Sequence, residues 1–415
     1  MVIVDELRAL DKNQRSAFVA SFLGWALDAF DFFLLTFVMK DIAAEFKVPV
    51  SKVSAAIVFT LAARPVGAFV FGRLADRYGR RPVLMADVLA YSALALASAF
   101  SPNLTALLVL RTLFGVAMGG EWGIGASLAL ETVPAKSRGL VSGILQEGYP
   151  VGYFLAALAN LALPAIGWRG MLALGAAPAL IILFVRRHVQ ESPAWEAQRA
   201  AEGAKGPSLR QALKGQWKRL IYVVVLMTCF NYLSHGTQDL YPTFLRVQHG
   251  FPPWLVTTLT VVLNLGAVAG GLIFGPLSEK IGRRRAIVIA ALLALPVIPL
   301  WSQTRAPALL ALGAFLIQVA VQGAWGVVPA HLNELSPPKA RGVFPGFAYQ
   351  LGNLFAAGNA YLQAKIAEAN GDDYGLALAV VCGVVAVVLA AVTWFGPEAK
   401  GTSFVAEGTG AAAGD

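Results

Sequence analysis

Between Asn231 and Thr243 the chain sets amides, hydroxyls, an imidazole and a carboxylate into an otherwise apolar stretch: Asn231, Ser234, His235, Gln238 and Asp239, followed by Pro242. At about 100° per residue, Asn231, Ser234, His235 and Gln238 fall at i, i+3, i+4 and i+7, which is one stripe of a helix. Asp239 stands at the margin of that stripe, Thr237 points elsewhere, and Pro242 ends or kinks the helix. The stripe cannot face hydrocarbon, where its amides and imidazole would go unsatisfied, so it lines a cavity or a tight helix contact. Arg64 places a cation in a second apolar stretch, Leu-Ala-Ala-Arg64-Pro65-Val-Gly67. Its planar fork matches both oxygens of a carboxylate. A carboxylate crossing a low-dielectric cavity needs such a cation and a few donors. These residues therefore suit binding of a small organic anion, with Arg64 on its carboxylate. The competing reading is an ion pair of Arg64 with Asp28 or Asp31, and the two can alternate.

An ionisable group inside a membrane span costs roughly 2.5–3.5 kcal/mol, so each one is a functional candidate unless it is a pair that orients helices. Apolar stretches also hold Asp28, Asp31, Arg111, Glu121 and Glu147. Proton coupling needs a group whose proton affinity changes between two states. Histidine titrates nearest physiological pH, and carboxylates can be brought there by burial. That makes His235–Asp239 one candidate, with Asp28, Asp31 and Glu121 as others. Glu121 lies among Gly119, Gly120, Gly123 and Gly125, where close helix packing is an equal explanation. His249 and His331 fall near span ends and read as interfacial. Tyr149 and Tyr153, at i and i+4, are expected to narrow the cavity.

The elements that position these groups follow from composition. Of 415 residues, 57% are hydrophobic and 14% charged, against roughly 25% charged in ordinary soluble domains. About a dozen apolar stretches have the roughly 20-residue length that spans a bilayer as a helix. A soluble enzyme, a nucleic-acid binder and a disordered regulator are excluded. The spans read as 18–38, 54–72, 83–100, 106–130, 140–162 and 169–185, then 220–241, 255–276, 286–301, 308–331, 342–363 and 376–395. The face that carries both termini collects 24 of the 33 Lys and Arg, which assigns the net charge of +9 to topology. That bias predicts both termini and the 186–219 loop in the cytoplasm. The first 17 residues are polar, so no cleaved signal peptide is expected. Cys229 and Cys382 both fall in spans and form no disulfide framework.

An internal repeat covers the chain. Gly72 to Arg81, with Asp76 and Arg80, recurs as Gly275 to Arg284, with Glu279, at an offset of 203 residues. Glu131-Thr-Val-Pro134-Ala-Lys136-Ser-Arg138-Gly139 recurs as Glu334-Leu-Ser-Pro337-Pro-Lys339-Ala-Arg341-Gly342 at the same offset, and so does Gly120-Glu-Trp122-Gly123 as Gly323-Ala-Trp325-Gly326. The reading is an all-α membrane protein of twelve transmembrane helices in two parallel six-helix halves. Its parts are an N-terminal half at 1–185, a linker at 186–219, a C-terminal half at 220–396 and a flexible tail at 397–415.

The Gly72–Arg81 loop and its second copy resemble the signature of the major facilitator transporters, and Glu191-Ser-Pro-Ala-Trp195 resembles that family's central-loop motif. The resemblance implies a cytoplasmic gating network of Asp76, Arg80, Glu131, Arg138, Glu279, Glu334 and Arg341. Asp31 with Arg111 resembles the aspartate–arginine pair of proton-coupled sugar porters. Asn231 to Thr243 is similar to the signature of the lactate/pyruvate:proton symporters, which are grouped with the sialate:proton symporters. This implies a short monocarboxylate such as lactate, moved with a proton, with Asn231, His235, Gln238 and Asp239 in the site. Gln350-Leu-Gly-Asn353 resembles the second polar patch of the same group. The rival substrate is sialic acid or another organic acid, ahead of a drug exporter or a transporter-like receptor. No nucleophile–base set or metal cluster is apparent, so no enzyme activity, cofactor or metal is expected. The expected setting is an inner (plasma) membrane, with substrate anion, proton and lipid as partners of a monomer.

Overall fold

In hydrocarbon every backbone N–H and C=O must be paired within its own segment, so each apolar stretch becomes a helix. The computed structural model describes residues 2–202 and 214–404, and no strand occurs among them. The middle of the linker and the end of the tail, 203–213 and 405–415, lie outside the described residues. Six crossings of the first half are Lys12–Phe46, Val50–Tyr78, Arg80–Ala99, Leu104–Thr132, Arg138–Gln146 continued by Gly148–Ala162, and Gly167–Leu174 continued by Ala179–His188. The second half repeats them as Trp217–Gln238 continued by Tyr241–Val247, Pro253–Ile281, Arg283–Ser302, Pro307–Leu335, Phe344–Ala356 continued by Asn359–Ala369, and Tyr374–Trp394. A short helix, Pro193–Glu202, lies between the halves in sequence.

Among the described residues, ten helical segments are long and apolar enough to cross a membrane. The fifth and eleventh crossings complete the twelve in broken form. In the fifth, Pro150 has no N–H to offer the Gln146 carbonyl, and the helix restarts after Glu147. In the eleventh, the break falls at Ala357 and Gly358. Pro242 acts as expected: the seventh helix ends at Gln238 and resumes at Tyr241 with the proline in its first turn.

The helices outrun their apolar cores. The first is 35 residues long and starts from a capping box, with the Asp11 carboxylate accepting from the Gln14 N–H and the Gln14 side chain accepting from the Asp11 N–H. The stretch read as a loop from Gly72 to Arg81 is mostly helix. Gly79 alone makes the turn at φ 108°, and Gly282 repeats it at φ 97°. Only glycine takes such a φ without strain.

Small residues let the backbones meet. A Cβ on Gly67 in the second crossing would overlap the Val116 carbonyl of the fourth, and one on Gly270 would meet the repeat-related Val319 carbonyl. Between the halves, Gly139 faces Gly275 as Gly342 faces Gly72, again 203 residues apart. Overpacking of this kind costs about 1–3 kcal/mol or more. Gly67→Ala is thus expected to lower the melting temperature in detergent by several degrees. Gly358→Ala, where a Cβ meets nothing within 4 Å, should leave it unchanged.

Candidate functional site

A cavity of about 410 Å³ lies between the halves, within the range of small-molecule sites. Its walls carry Arg64 from the second crossing, Asn231, His235, Gln238 and Asp239 from the seventh, and Asn353 from the eleventh. The stripe read from the sequence is therefore a cavity wall. Tyr149 and Tyr153 line it from the fifth crossing as expected, and Phe33 packs edge-on against both, at 5.3 and 4.8 Å between ring centres. At the repeat-related position opposite Arg64 stands Ala267, so the cavity has a cation on one side only.

Arg64 is 2% exposed. Its Nη2 stands 3.7 Å from the Asp28 carboxylate and 2.7 Å from the Met118 sulfur, and its Nε has no partner. Such a guanidinium is held in place but left with donors to spare, as binding an incoming carboxylate requires. His235 has an oxygen on both sides: Nδ1 is 3.2 Å from Asp239 Oδ1, and Nε2 is 3.1 Å from Asn353 Oδ1. The imidazolium satisfies both contacts as donor; the neutral ring satisfies both once the Asn353 amide is turned over. Both His235 and Asp239 side chains are 37% exposed to the cavity.

Behind the stripe runs an amide chain that the sequence reading missed. Gln238 donates to Ser234 Oγ at 3.1 Å and to Gln318 Oε1 at 3.3 Å, and Gln318 donates to Thr237 Oγ1 at 3.1 Å. Thr237 thus faces the tenth crossing, away from the cavity. Gln322 reaches Ser234 at 3.4 Å. Gln318 and Gln322 sit at i and i+4 in an apolar helix. The polar-stripe argument used for the seventh crossing would have found them.

Gln350 departs from expectation. It is buried, its Oε1 has no partner, and it is not among the cavity-lining residues. Tyr349, its neighbour, takes the wall position and packs at a tilt against Trp122, with ring centres 4.7 Å apart. Asp31 pairs with Arg111 at 3.8 Å, fully buried and off the cavity. Glu121 is buried against Gly24 with neither oxygen bonded. Glu147 lies at the break of the fifth crossing against Gly271. His331, read as interfacial, is fully buried with neither ring nitrogen bonded, in the field of Glu398, Arg283 and Arg284. His249 lies in a turn between the rings of Phe244 and Phe251.

The residues read as a charge network do meet, at the end of the molecule that carries the Gly79 and Gly282 turns. Arg80 pairs with Asp76 and Glu131, both at 3.1 Å. Its counterpart Arg283, absent from the sequence-based set, pairs with Glu279 at 2.7 Å and Glu334 at 2.9 Å. Cross-links then join the halves: Arg138 to Glu334 at 3.7 Å and Arg341 to Glu131 at 3.6 Å. Asp76 accepts from the Gly342 N–H at 2.7 Å, and Glu279 accepts from the Gly139 N–H at 2.5 Å. Ser127 donates to Asn333 across the same seam, and Ser192 donates to Glu131.

Two further carboxylates cap the helices that follow the turns. Glu191 accepts from the N–H groups of Arg80 and Arg81, and Glu398 accepts from that of Arg284. Burial holds the Glu191 carboxyl above its ordinary range. At Glu398 burial acts the same way, but the N–H groups of Arg284 and Lys400 outweigh it and hold the carboxyl below. Last, the Phe404 ring lies against the guanidinium groups of both Arg138 and Arg341, at 3.4 and 4.1 Å.

Comparison with known proteins agrees with this geometry. A carboxylic acid transporter protein homolog of Saccharomyces cerevisiae is 28% identical over 95% of this chain and 70% of its own. The sialic acid transporter NanX of Escherichia coli is 28% identical over 83% of this chain and 85% of its own. A metabolite transport protein of Haemophilus influenzae reaches 30% identity over 93% of this chain and 96% of its own. Among solved structures, the proton:xylose symporter XylE bound to 6-bromo-6-deoxy-D-glucose matches with a TM-score of 0.74 over 94% of this chain and 97% of its own, at 19% identity, a likeness of fold alone. Residues 222–401 match the sugar (and other) transporter family, and residues 21–265 match the Major Facilitator Superfamily. With twelve crossings in two repeat-related halves around a polar cavity, this multi-pass membrane chain belongs to the major facilitator superfamily of transporters.

Proposed function

We propose that the protein carries a short monocarboxylate such as L-lactate or pyruvate across the membrane together with a proton, by alternating access. The observation that carries this reading is the single cation of the cavity wall, Arg64, facing the His235–Asp239 pair and the Asn231, Gln238 and Asn353 amides. A carboxylate finds its charge partner there and its donors opposite. The similarity to a carboxylic acid transporter homolog and to a sialic acid transporter supports an organic acid.

The Lys and Arg bias of the loops puts both termini and the paired-charge seam on the cytoplasmic side. On that reading the Arg138–Glu334 and Arg341–Glu131 pairs close the cytoplasmic gate. Rocking of the halves breaks them and opens the cavity inward. The proton is carried by Asp28, Asp31 with Arg111, Glu121, or His235 with Asp239.

A second reading keeps the mechanism and enlarges the substrate. The 410 Å³ of the cavity exceed what a three-carbon acid fills, which suits sialic acid or another larger organic acid. Uptake of labelled L-lactate into proteoliposomes under an inward proton gradient tests both. Accumulation that collapses with a protonophore and is competed by pyruvate is expected. No lactate accumulation, in vesicles that do accumulate labelled sialic acid, would replace the first reading with the second.

A further inference from the structure

Four carboxylates of the N-terminal half are buried with neither oxygen hydrogen-bonded: Asp28, Asp31, Asp87 and Glu121. Asp31 has Arg111 at 3.8 Å. Asp28 has Arg64 at 3.7 Å, Glu121 has Arg64 as a more distant cation, and Asp87 has neither a salt bridge nor a hydrogen bond among the described residues. Asp87, on the third crossing, is not among the residues singled out from the sequence.

Its surroundings place it in one cluster with the other two. A Cβ on Gly120 would stand 3.1 Å from Asp87 Oδ1, so that carboxylate lies against the fourth helix one residue before Glu121. Glu121 in turn reaches across to Gly24 of the first helix, one turn before Asp28. Asp28, Asp87 and Glu121 lie in one another's Coulomb field, with Arg64 the cation facing Asp28 and Glu121. A fourth group points to an occupant. The Tyr91 hydroxyl, one turn beyond Asp87, is fully buried, has no partner and lies in the field of all four carboxylates. From the sixth crossing Ile181 and Val185 cover this side of the third. At the two ends of that crossing, the Arg169 guanidinium donates to the Ala99 and Ser101 carbonyls, and the Arg186 carbonyl accepts from the Arg81 guanidinium.

Three carboxylates and one guanidinium in a water-excluded core cannot all stay ionised, because like charges that close raise one another's affinity for a proton. A metal ion would need three or more of these oxygens converging on one point, and no such group of His, Cys, Asp or Glu exists among the described residues. A proton needs one oxygen only.

We propose that Asp87, together with Glu121 and Asp28, forms a proton-binding site inside the N-terminal half, separate from the substrate cavity and linked to it through Arg64. When a carboxylate draws Arg64 away from Asp28, the cluster loses its facing cation and takes up a proton more readily. By linkage, protonation of the cluster frees Arg64 for the anion to the same degree. The coupling to substrate rests on the organic-anion reading above; the proton site does not.

Infrared spectroscopy of the purified protein in lipid tests the site without transport. The wild type should show the C=O band of a protonated carboxylic acid at neutral pH, and Asp87→Asn should lose it or shift its titration. The near-isosteric change removes a like charge, so the melting temperature should hold. Asp87→Glu restores a titrating carboxyl and keeps the test open should the amide misfold. An identical band and titration in the wild type and Asp87→Asn would overturn the proposal. Addition of L-lactate to weakly buffered protein should draw protons from solution in the wild type and markedly fewer in Asp87→Asn. An Asp87-dependent band without any response to lactate keeps the proton site and sinks the lactate reading.

Discussion

Arg64→Ala is expected to reduce proton-driven uptake of the organic anion by roughly 30-fold or more. Truncating one partner of a buried, hydrogen-bonded charge pair costs about 2–5 kcal/mol, which is that factor or above in affinity. Among the cavity-lining residues no other Arg or Lys is available to take over, since the repeat-related position is Ala267. Arg64→Lys keeps the charge but loses the fork and should fall between wild type and alanine. Initial uptake rates in proteoliposomes at several substrate concentrations separate the two, because lost anion binding raises KM before it lowers the maximal rate. Undiminished uptake by Arg64→Ala would move the carboxylate to the Asn231–Asp239 wall.

The second large effect belongs to Glu334. It is 4% exposed and holds Arg283 of its own half at 2.9 Å and Arg138 of the other at 3.7 Å. In Glu334→Gln the Arg138 guanidinium stays buried without its paired carboxylate, while Arg283 keeps Glu279 alone. Breaking a buried pair this way costs about 3–5 kcal/mol, and that cost is removed when the halves separate and water enters. The closed-to-open equilibrium should therefore shift by roughly 100-fold or more toward the state open at this end. Cys229 and Cys382 are both buried, so a cysteine introduced at Ser127, on the seam, reports the opening against a quiet background. Its labelling by a membrane-impermeant maleimide should be fast in Glu334→Gln and slow in the parent. Equal rates would remove Glu334 from the gate.

Much of this architecture was legible because a membrane leaves few options. Apolar length gave the crossings, the 203-residue offset gave the two halves, and helical spacing identified one wall of the cavity. Pairing was legible too, as Asp31 with Arg111 and Arg80 with Glu131 illustrate. What escaped was set by direction and by three-dimensional neighbours. Gln350 and Asn353 are one turn apart, yet only Asn353 reaches the cavity wall. The amides Gln318 and Gln322 are uncharged and belong to no repeated motif, so only their i, i+4 spacing marks them in the sequence. Asp87 sits near the start of a span, where a carboxylate reads as interfacial, and only the packing of the third helix on the fourth shows it to be buried. His331 was misplaced for the same reason, since a position near a span end is fully buried here.

The lone arginine of the cavity has a consequence for how such a protein can change. The two halves share a backbone plan to within single residues, yet the buried charges Asp28, Arg64, Asp87 and Glu121 all sit in the first half. The second half contributes mostly amides, among them Asn231, Gln238, Gln322 and Asn353. Under the proposed function, a substrate held through its carboxylate would travel with the first half, and the second half would read whatever is attached to that carboxylate. Exchange of one amide for another would then alter which acid fits while leaving the cation that holds it in place. One copy of the repeat would serve as the anchor and the other as a replaceable reading head, so that cargo could change through half of the sequence.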